Sequence, residues 1–199
     1  MIQAIILAAG RSTRMGEQKL LMPFHGMSIV DFVIKTVLTC EFDGTCVVVS
    51  RETLDRLTPI EGAEYIVNPD PDRGQSSSFH CALSALSEGS SFAVFLADKP
   101  TVTAAQVMEL RRRFEFSDST KAGKNALVPQ KDGVPGHPAF FSNLWRERFM
   151  SSGESSRTVL FRHADEVEWT EAHENFFLDV DTPEDYRRLS VSAVAMPKG

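Results

Sequence analysis

The stretch Ile2-Gln3-Ala4-Ile5-Ile6-Leu7-Ala8-Ala9-Gly10-Arg11-Ser12-Thr13-Arg14-Met15-Gly16-Glu17-Gln18-Lys19 runs from an apolar segment straight into a loop of glycines, hydroxyls and cations. Residues 2–8 are apolar at nearly every position rather than at alternate ones. That predicts a central strand covered on both faces, as in parallel sheets. Open sheets of that kind bind ligands beyond the carboxyl ends of their strands, so chemistry is expected just after Ala8. Gly10 and Gly16 allow sharp turns and close approach to a ligand, Ser12 and Thr13 supply hydroxyls, and Arg11, Arg14 and Lys19 supply positive charge. The combination suits a polyphosphate. A dinucleotide fingerprint is excluded because no second glycine follows Arg11, and a G-x-x-x-x-G-K-[S/T] loop is excluded because Glu17-Gln18 follow Gly16. The competing reading is a solvated basic turn that uses its glycines for positive φ. Either glycine alone favours that reading; the full set behind a central strand favours phosphate.

Outward from this strand, β-rich runs alternate with amphipathic ones. The spacing of Ile29, Val30, Phe32, Val33, Ile34, Val37 and Leu38 predicts a helix over 28–38 with a broad apolar face, and Asp31 sits in its first turn where the helix dipole favours negative charge. Strands are expected at 46–50, 65–67 and 92–96, and helices at 52–57, 76–86 and 104–114, the last started by Thr103 as N-cap. This order is that of an α/β protein: a single-domain Rossmann-like three-layer sandwich, its central sheet mostly parallel and its helices on both faces. Residues 117–125 read as an exposed loop. Beyond them come expected strands at 126–128 and 139–141 around the Gly/Pro-rich connection 131–138, helices at 156–163 and 183–189, and short strands at 167–169 and 176–178. The tail 190–199 reads as frayed.

Composition narrows the function. The 199 residues carry 42% hydrophobic and 24% charged side chains, enough for one sizeable core, and a net charge of −6 argues against nucleic acid as the main partner. A small polyanion remains compatible, because a few local cations and backbone N–H groups bind phosphate whatever the total charge. The opening apolar run lacks a basic region before it and no segment approaches the roughly 20 apolar residues of a bilayer span. A cytoplasmic protein with no membrane partner is expected. Cys40, Cys46 and Cys81 have neither disulfide nor zinc spacing and read as small buried hydrophobes.

The loop residues Leu7-Ala8-Ala9-Gly10-x-Ser12-x-Arg14-Met15-Gly16-x-x-Lys19-Leu20-Leu21 resemble the signature of the nucleotidyltransferases related to molybdenum cofactor biosynthesis. The likeness continues through Asn68-Pro69-Asp70 and Gly74-Gln75-Ser76-Ser77-Ser78, Ala97-Asp98-Lys99-Pro100, Gly136-His137-Pro138 and Asp179-Val180-Asp181-Thr182-Pro183-Glu184-Asp185. It implies a nucleotide-diphospho-sugar transferase-like fold and transfer of a nucleoside monophosphate from an NTP to a phosphorylated acceptor, with release of pyrophosphate. The Ala8-Ala9-Gly10 form is similar to the cytidylyltransferase branch, which implies CTP, with molybdopterin as acceptor and a molybdoenzyme or its chaperone as a further candidate partner. Leu7, Ala8, Ala9, Gly10, Ser12, Arg14, Gly16, Lys19, Asn68, Gly74, Ser76 and Ser77 are then expected around the nucleotide, Lys19, Arg14 and Asp98 in catalysis, Asp98 and Asp181 on Mg²⁺, and Gly136, His137 and Pro138 at the acceptor. Two residues depart from the pattern: Lys99 stands where the family usually has an uncharged side chain, and 152–157 only partly matches the family's G-D-x-G-A-R loop.

Other readings compete at several of these positions. Asp98 also reads as a turn cap before Pro100, and Asp181 or Thr182 as the N-cap of a helix with Pro183 at N1, with Asp179 then the alternative metal ligand. Lys19 is expected on a solvent-accessible turn. His137 reads equally as a packed, hydrogen-bonded histidine, and Phe79, Phe140, Phe141, Trp145 and Phe149 as core or as acceptor-pocket wall. A different phosphorylated acceptor of sugar, polyol or phospholactate type, or a cofactor-delivery protein without turnover, would use the same phosphate loop. A nicotinamide-dependent oxidoreductase is disfavoured by the missing glycine.

Overall fold

Parallel pairing of β1 (Ile2–Ala8) on both its edges organises the molecule. The computed structural model describes residues 1–10, 18–120 and 124–192. Residues 11–17, which carry the expectations on Ser12, Arg14 and Gly16, lie outside that range, as does the end of the chain beyond 192. After β1 come a small hairpin, β2 (Pro23–Phe24) and β3 (Met27–Ser28), then α1 (Ile29–Leu38), β4 (Gly44–Val49), α2 (Arg51–Leu54), β5 (Glu64–Val67), α3 (Gln75–Ala85), β6 (Ser91–Leu96) and α4 (Ala104–Thr120). The second half adds β7 (Ala126–Lys131), β8 (Val134–Pro135), β9 (Ala139–Phe141), α5 (Leu144–Ser151), α6 (Ser156–Arg162), β10 (Val167–Glu171) and α7 (Pro183–Ser192).

The main sheet runs β10-β7-β9-β6-β1-β4-β5, with β8 on β7. Its pairs are parallel except where β9 lies between β6 and β7 and where β8 joins β7. Side chains alternate across the sheet, and that alternation makes two cores. Ala4, Ile6, Ala8, Val47, Val49, Ala93 and Phe95 meet α1, α4 and α7 on one face; Ile5, Val48, Phe92, Val94 and Phe141 meet α3, α5 and α6 on the other. Each fully buried Ile, Leu or Phe contributes about 1.5–3 kcal/mol, so β1 is held from both sides. From β1 the chain turns to β4 on one edge, and it later reaches β6 on the other. The crevice between β1 and β6 is therefore the switch point at which α/β sheets take ligands. No helix among the described residues is long and apolar enough to cross a membrane.

Four expectations need correction. The segment 117–120, read as loop, continues α4, because the helix is anchored by Val107, Leu110 and Phe114 and neither Gly nor Pro interrupts it through Thr120; residues 121–123 of the expected loop lie outside the described residues. The helix at 52–57 is one turn, Arg51–Leu54, capped where Thr53 N–H donates to Ser50 Oγ at 3.1 Å; Pro59 stands close behind and disfavours continuation. The strand expected at 176–178 is instead a 3₁₀ turn over Glu174–Phe176, with Phe176 N–H bonded to His173 O at 3.1 Å and its ring in the core. Residues 190–192, read as the start of a frayed tail, belong to α7, which reaches Ser192; the rest of that tail lies outside the described residues. Of the cysteines only Cys40 is fully buried, but burial pushes the Cys46 thiol up to about 12, which makes it an inert packing group.

Gly136 shows how tightly the β8–β9 connection is packed. A Cβ built there would lie 2.8 Å from Phe177 Cε1 and 3.4 Å from Phe176 O. Gly136→Ala is therefore expected to destabilise the protein by about 1–3 kcal/mol through overpacking, read by denaturant unfolding. Phe177→Ala in the same chain should recover part of that loss, and full additivity of the two changes would refute the contact.

Candidate active site

Leu7 pairs with Leu96 across β1 and β6, and Ala97 N–H donates to Leu7 O at 3.1 Å, so Asp98 emerges beside the end of β1. The chain returns from the phosphate loop through a single 3₁₀ turn, Lys19–Leu21, whose Leu20 is fixed in the core at 3% exposure. That anchor turns Lys19 into the crevice. Its Nζ donates to Asp98 Oδ2 at 2.8 Å and to Asp181 Oδ1 at 2.7 Å. The expectation of a solvent-accessible lysine is thereby corrected: only 12% of its side chain is exposed. Burial works against the ammonium, but the charge of Asp98 and hydrogen bonds to Asp181 and Asp98 outweigh it and hold the pKa above the ordinary lysine value. Lys19 stays cationic at neutral pH.

Asp181 is delivered by the segment before α7. Val180 is fully buried and its N–H donates to Asp98 O at 2.9 Å, tying this segment to the end of β6. Thr182 is the helix cap: Asp185 N–H donates to Thr182 Oγ1 at 3.2 Å while Thr182 N–H donates to Asp185 Oδ2 at 3.0 Å, a reciprocal capping box. Asp181 therefore has no capping duty, and its carboxylate faces Lys19. On Asp98, Oδ1 is buried and has no hydrogen-bond partner among the described residues, although Oδ2 holds Lys19.

Lys99 lies on the other side of this turn. Its side chain is 9% exposed and its Nζ stands 3.9 Å from Asp179 Oδ2. Burial raises the Asp179 pKa, Lys99 opposes that, and the charges of Asp181 and Asp98 add to it. His137, in a connection with a cis peptide to Pro138, is pushed down to about 4, first by burial and then by the Lys99 charge, against Asp98. The imidazole is neutral at physiological pH.

Two cavities meet at Leu7 and Gln75. The polar one, about 200 Å³, is lined by Ala9, Gly10, Lys19, Gly74, Gln75, Ser78 and Asp98. Gly74, at φ +84°, starts α3 without a side-chain cap, so the first N–H groups of the helix are open to an anion on this side. Asn68 and Ser77 stand behind this wall: Asn68 is 2% exposed and its Nδ2 donates to Ser77 Oγ and Ser78 Oγ, while Ser77 Oγ donates to Gly74 O. They brace the turn that the cavity uses. The second cavity, about 240 Å³, has walls of Phe79, Val94, Val128, Phe141, Phe149 and Leu160 and polar groups from Gln75, His137, Ser156 and Arg157. Thus Phe79, Phe141 and Phe149 are both core and pocket wall, whereas Phe140 and Trp145 are core alone. Gln75, the one polar side chain among the described residues common to both cavities, stood in the sequence only within the Gly74–Ser78 motif and was given no role; its place at the first position of α3 was the available signal.

Residues 4–167 match the family described as the MobA-like NTP transferase domain, and the chain belongs to that family of nucleotidyltransferases. It is 28% identical to the molybdenum cofactor cytidylyltransferase of Escherichia coli (strain K12) over 194 residues, 93% of each chain. It is also similar to the crystal structure of Rv0371c from Mycobacterium tuberculosis H37Rv, with a TM-score of 0.79, 24% identity and coverage of 96% of this chain and 97% of that one. A crystal structure of Rv0371c in complex with manganese gives 0.75, 22%, 96% and 98% for the same quantities. The structural likenesses bear out the mostly parallel, Rossmann-like sandwich.

Two outcomes follow from the geometry. Thr182→Ala should cost about 0.5–2 kcal/mol of stability as a lost cap, whereas Thr182→Asn, which keeps a capping side chain, should retain most of it; no loss with Thr182→Ala in thermal melts would move the cap away from Thr182. For His137, the folded value of about 4 lies below the ordinary 6.5, so the unfolded chain binds the proton first and stability falls as pH drops from about 6.5 toward 4. The ring proton shifts of His137 in an NMR titration should therefore stay flat from pH 8 to pH 5, and a midpoint near 6.5 would contradict the assigned environment.

Proposed function

We propose that this MobA-like family member is a cytoplasmic cytidylyltransferase that moves CMP from CTP to a phosphorylated acceptor, molybdopterin being favoured, and releases pyrophosphate. The observation that carries the proposal is Lys19 shared between Asp98 and Asp181 where the polar and the apolar cavity adjoin. The full-length relationship to the E. coli cytidylyltransferase supports the choice of nucleotide and acceptor. In this reading the triphosphate lies in the polar cavity against the open N-terminus of α3, and the flat body of the acceptor lies between Phe79, Phe141 and Phe149.

The acceptor's phosphate oxygen attacks the α-phosphorus in line, a bond to the nucleotide forms, and the bond to pyrophosphate breaks. No covalent enzyme intermediate and no general base are needed, since the attacking phosphate is already ionised. Lys19 is placed to stabilise charge that grows on the α-phosphoryl oxygens and the leaving group, and Asp98 and Asp181 keep it protonated for that task. Neutral His137 offers the acceptor a donor and an acceptor without a second positive charge.

The residues fit a divalent cation, proposed to be Mg²⁺. Asp98 Oδ1 is a buried carboxylate oxygen without a partner among the described residues, and Asp181 presents a second carboxylate beside it. No group of three or more His, Cys, Asp or Glu side chains among the described residues is placed to hold a metal ion together, as suits an ion that takes one or two carboxylates and completes its shell with phosphate and water. Bound there, Mg²⁺ supplies charge neutralisation and orientation of the triphosphate. The crystal structure, in complex with manganese, of Rv0371c, a protein of the same fold, supports a divalent ion as the metal.

Pyrophosphate release is to be measured with each NTP, Mg²⁺ and molybdopterin. CTP should give the highest rate, and Lys19→Ala should lower turnover by about 10²- to 10³-fold, the loss expected for one preorganised charge donor. No pyrophosphate with any NTP and acceptor would overturn the proposal.

A further inference from the structure

We infer that Lys99 decides which carboxylates serve the cation: it draws Asp179 aside and leaves Asp98 and Asp181 as the pair beside Lys19. The inference rests on the proposed nucleotidyl transfer and assigns a positioning role within that site. Asp179 and Asp181 flank Val180, which is fully buried and tied through its N–H to Asp98 O, so both carboxylates are brought to the end of β6. Nothing in the backbone selects between them. The lysines do: Asp181 Oδ1 lies 2.7 Å from Lys19 Nζ, and Asp179 Oδ2 lies 3.9 Å from Lys99 Nζ.

Lys99 is suited to hold a charge without taking part in phosphate binding. Its stem packs in a small apolar cavity with Val33, Val37 and Phe95, only 9% of the side chain is exposed, and it does not line the polar cavity. An ammonium placed so deep needs a nearby counter-charge, and Asp179 is its ion-pair partner among the described residues. Asp179 gains in turn, because its side chain is 48% exposed and would otherwise be free to join the two carboxylates whose charges it already feels. Three carboxylates would close around a hard cation and leave fewer positions for phosphate and water. Two keep the site open.

Titration of the full chain with Mn²⁺, followed by loss of the free-ion EPR signal, tests this without turnover. Lys99→Met, whose side chain fits the apolar cavity, should tighten Mn²⁺ binding by about tenfold or more, in the range of outer-shell effects on metal affinity. Asp179→Asn alone should leave the affinity unchanged, and added to Lys99→Met it should remove the gain. Asp98→Asn should weaken binding in every background. Thermal melts identify a misfolded variant, and Lys99→Gln then takes the place of Lys99→Met. Unchanged or weaker binding on removal of Lys99, or a loss with Asp179→Asn as large as with Asp98→Asn, overturns the assignment alone. A wild-type chain that binds no Mn²⁺ overturns the cation site itself, and this inference with it.

Discussion

The ammonium of Lys19 between two carboxylates is the constraint on which the active-site end of this sheet depends. A mostly parallel sheet brings its strand ends to one edge, and here that edge collects Asp98, Asp179 and Asp181. Two like charges about 4 Å apart repel by roughly 4 kcal/mol at the effective dielectric of a protein surface, so such a gathering requires cations. Lys19 supplies one and in doing so joins positions 79 and 162 residues away in the chain. A hydrophobic filler would hold the crevice together as well as a buried ion pair does. In the proposed function, what the ion pair adds is a charge that can exchange its partners for a phosphate.

That interaction also marks the limit of what the residues disclosed in one dimension. The apolar run of β1, the alternation into β4 and β6, and the glycine, serine and aspartate positions at the strand ends were legible because each is a local pattern. Lys19 was misread as exposed because its burial is set by Asp98 and Asp181, which no local spacing connects to it. α5 was missed for a similar reason: Trp145 and Phe149 stand one helical turn apart, yet the other apolar residues of Leu144–Ser151, Leu144 and Met150, fall off that face and are exposed, so the periodicity is weak. Only in the fold do they pack against Phe141, with the Trp145 indole N–H donated to Asn125 Oδ1. The turn at Glu174–Phe176 looked like a strand because two aromatics and a leucine mimic one, but its contacts are long-range: Phe177 packs against Gly136 and His137 N–H donates to Phe176 O.

Several polar residues around the site brace the backbone rather than face the cavities. Asn68 and Ser77 hold the turn before α3, Val180 holds Asp181 against β6, and the Thr182–Asp185 box starts α7 so that Asp181 is spared that duty. Thr101 and Asn175 exchange hydrogen bonds between side chain and main chain, at 3.2 and 3.1 Å, and so link the Asp98–Lys99 turn to the segment that packs on Gly136. Charge placement and acceptor-pocket shape are thereby connected through one short run of backbone. Preorganisation of this kind is what a reaction driven by position and electrostatics demands.

A chain of net charge −6 that takes a polyanion is less contradictory than it looks. At physiological ionic strength the Debye length is about 8 Å, so exposed acidic residues remote from the crevice contribute little to the potential a triphosphate meets there. Inside the crevice screening is weak, and among the described residues the local balance is set by Lys19, Lys99, the open N-terminus of α3 and the three aspartates. Under the proposed function, a triphosphate that arrives with its divalent cation would meet carboxylates for the metal and an ammonium and helix N–H groups for the phosphates, so the proposed site would take the nucleotide as its metal complex.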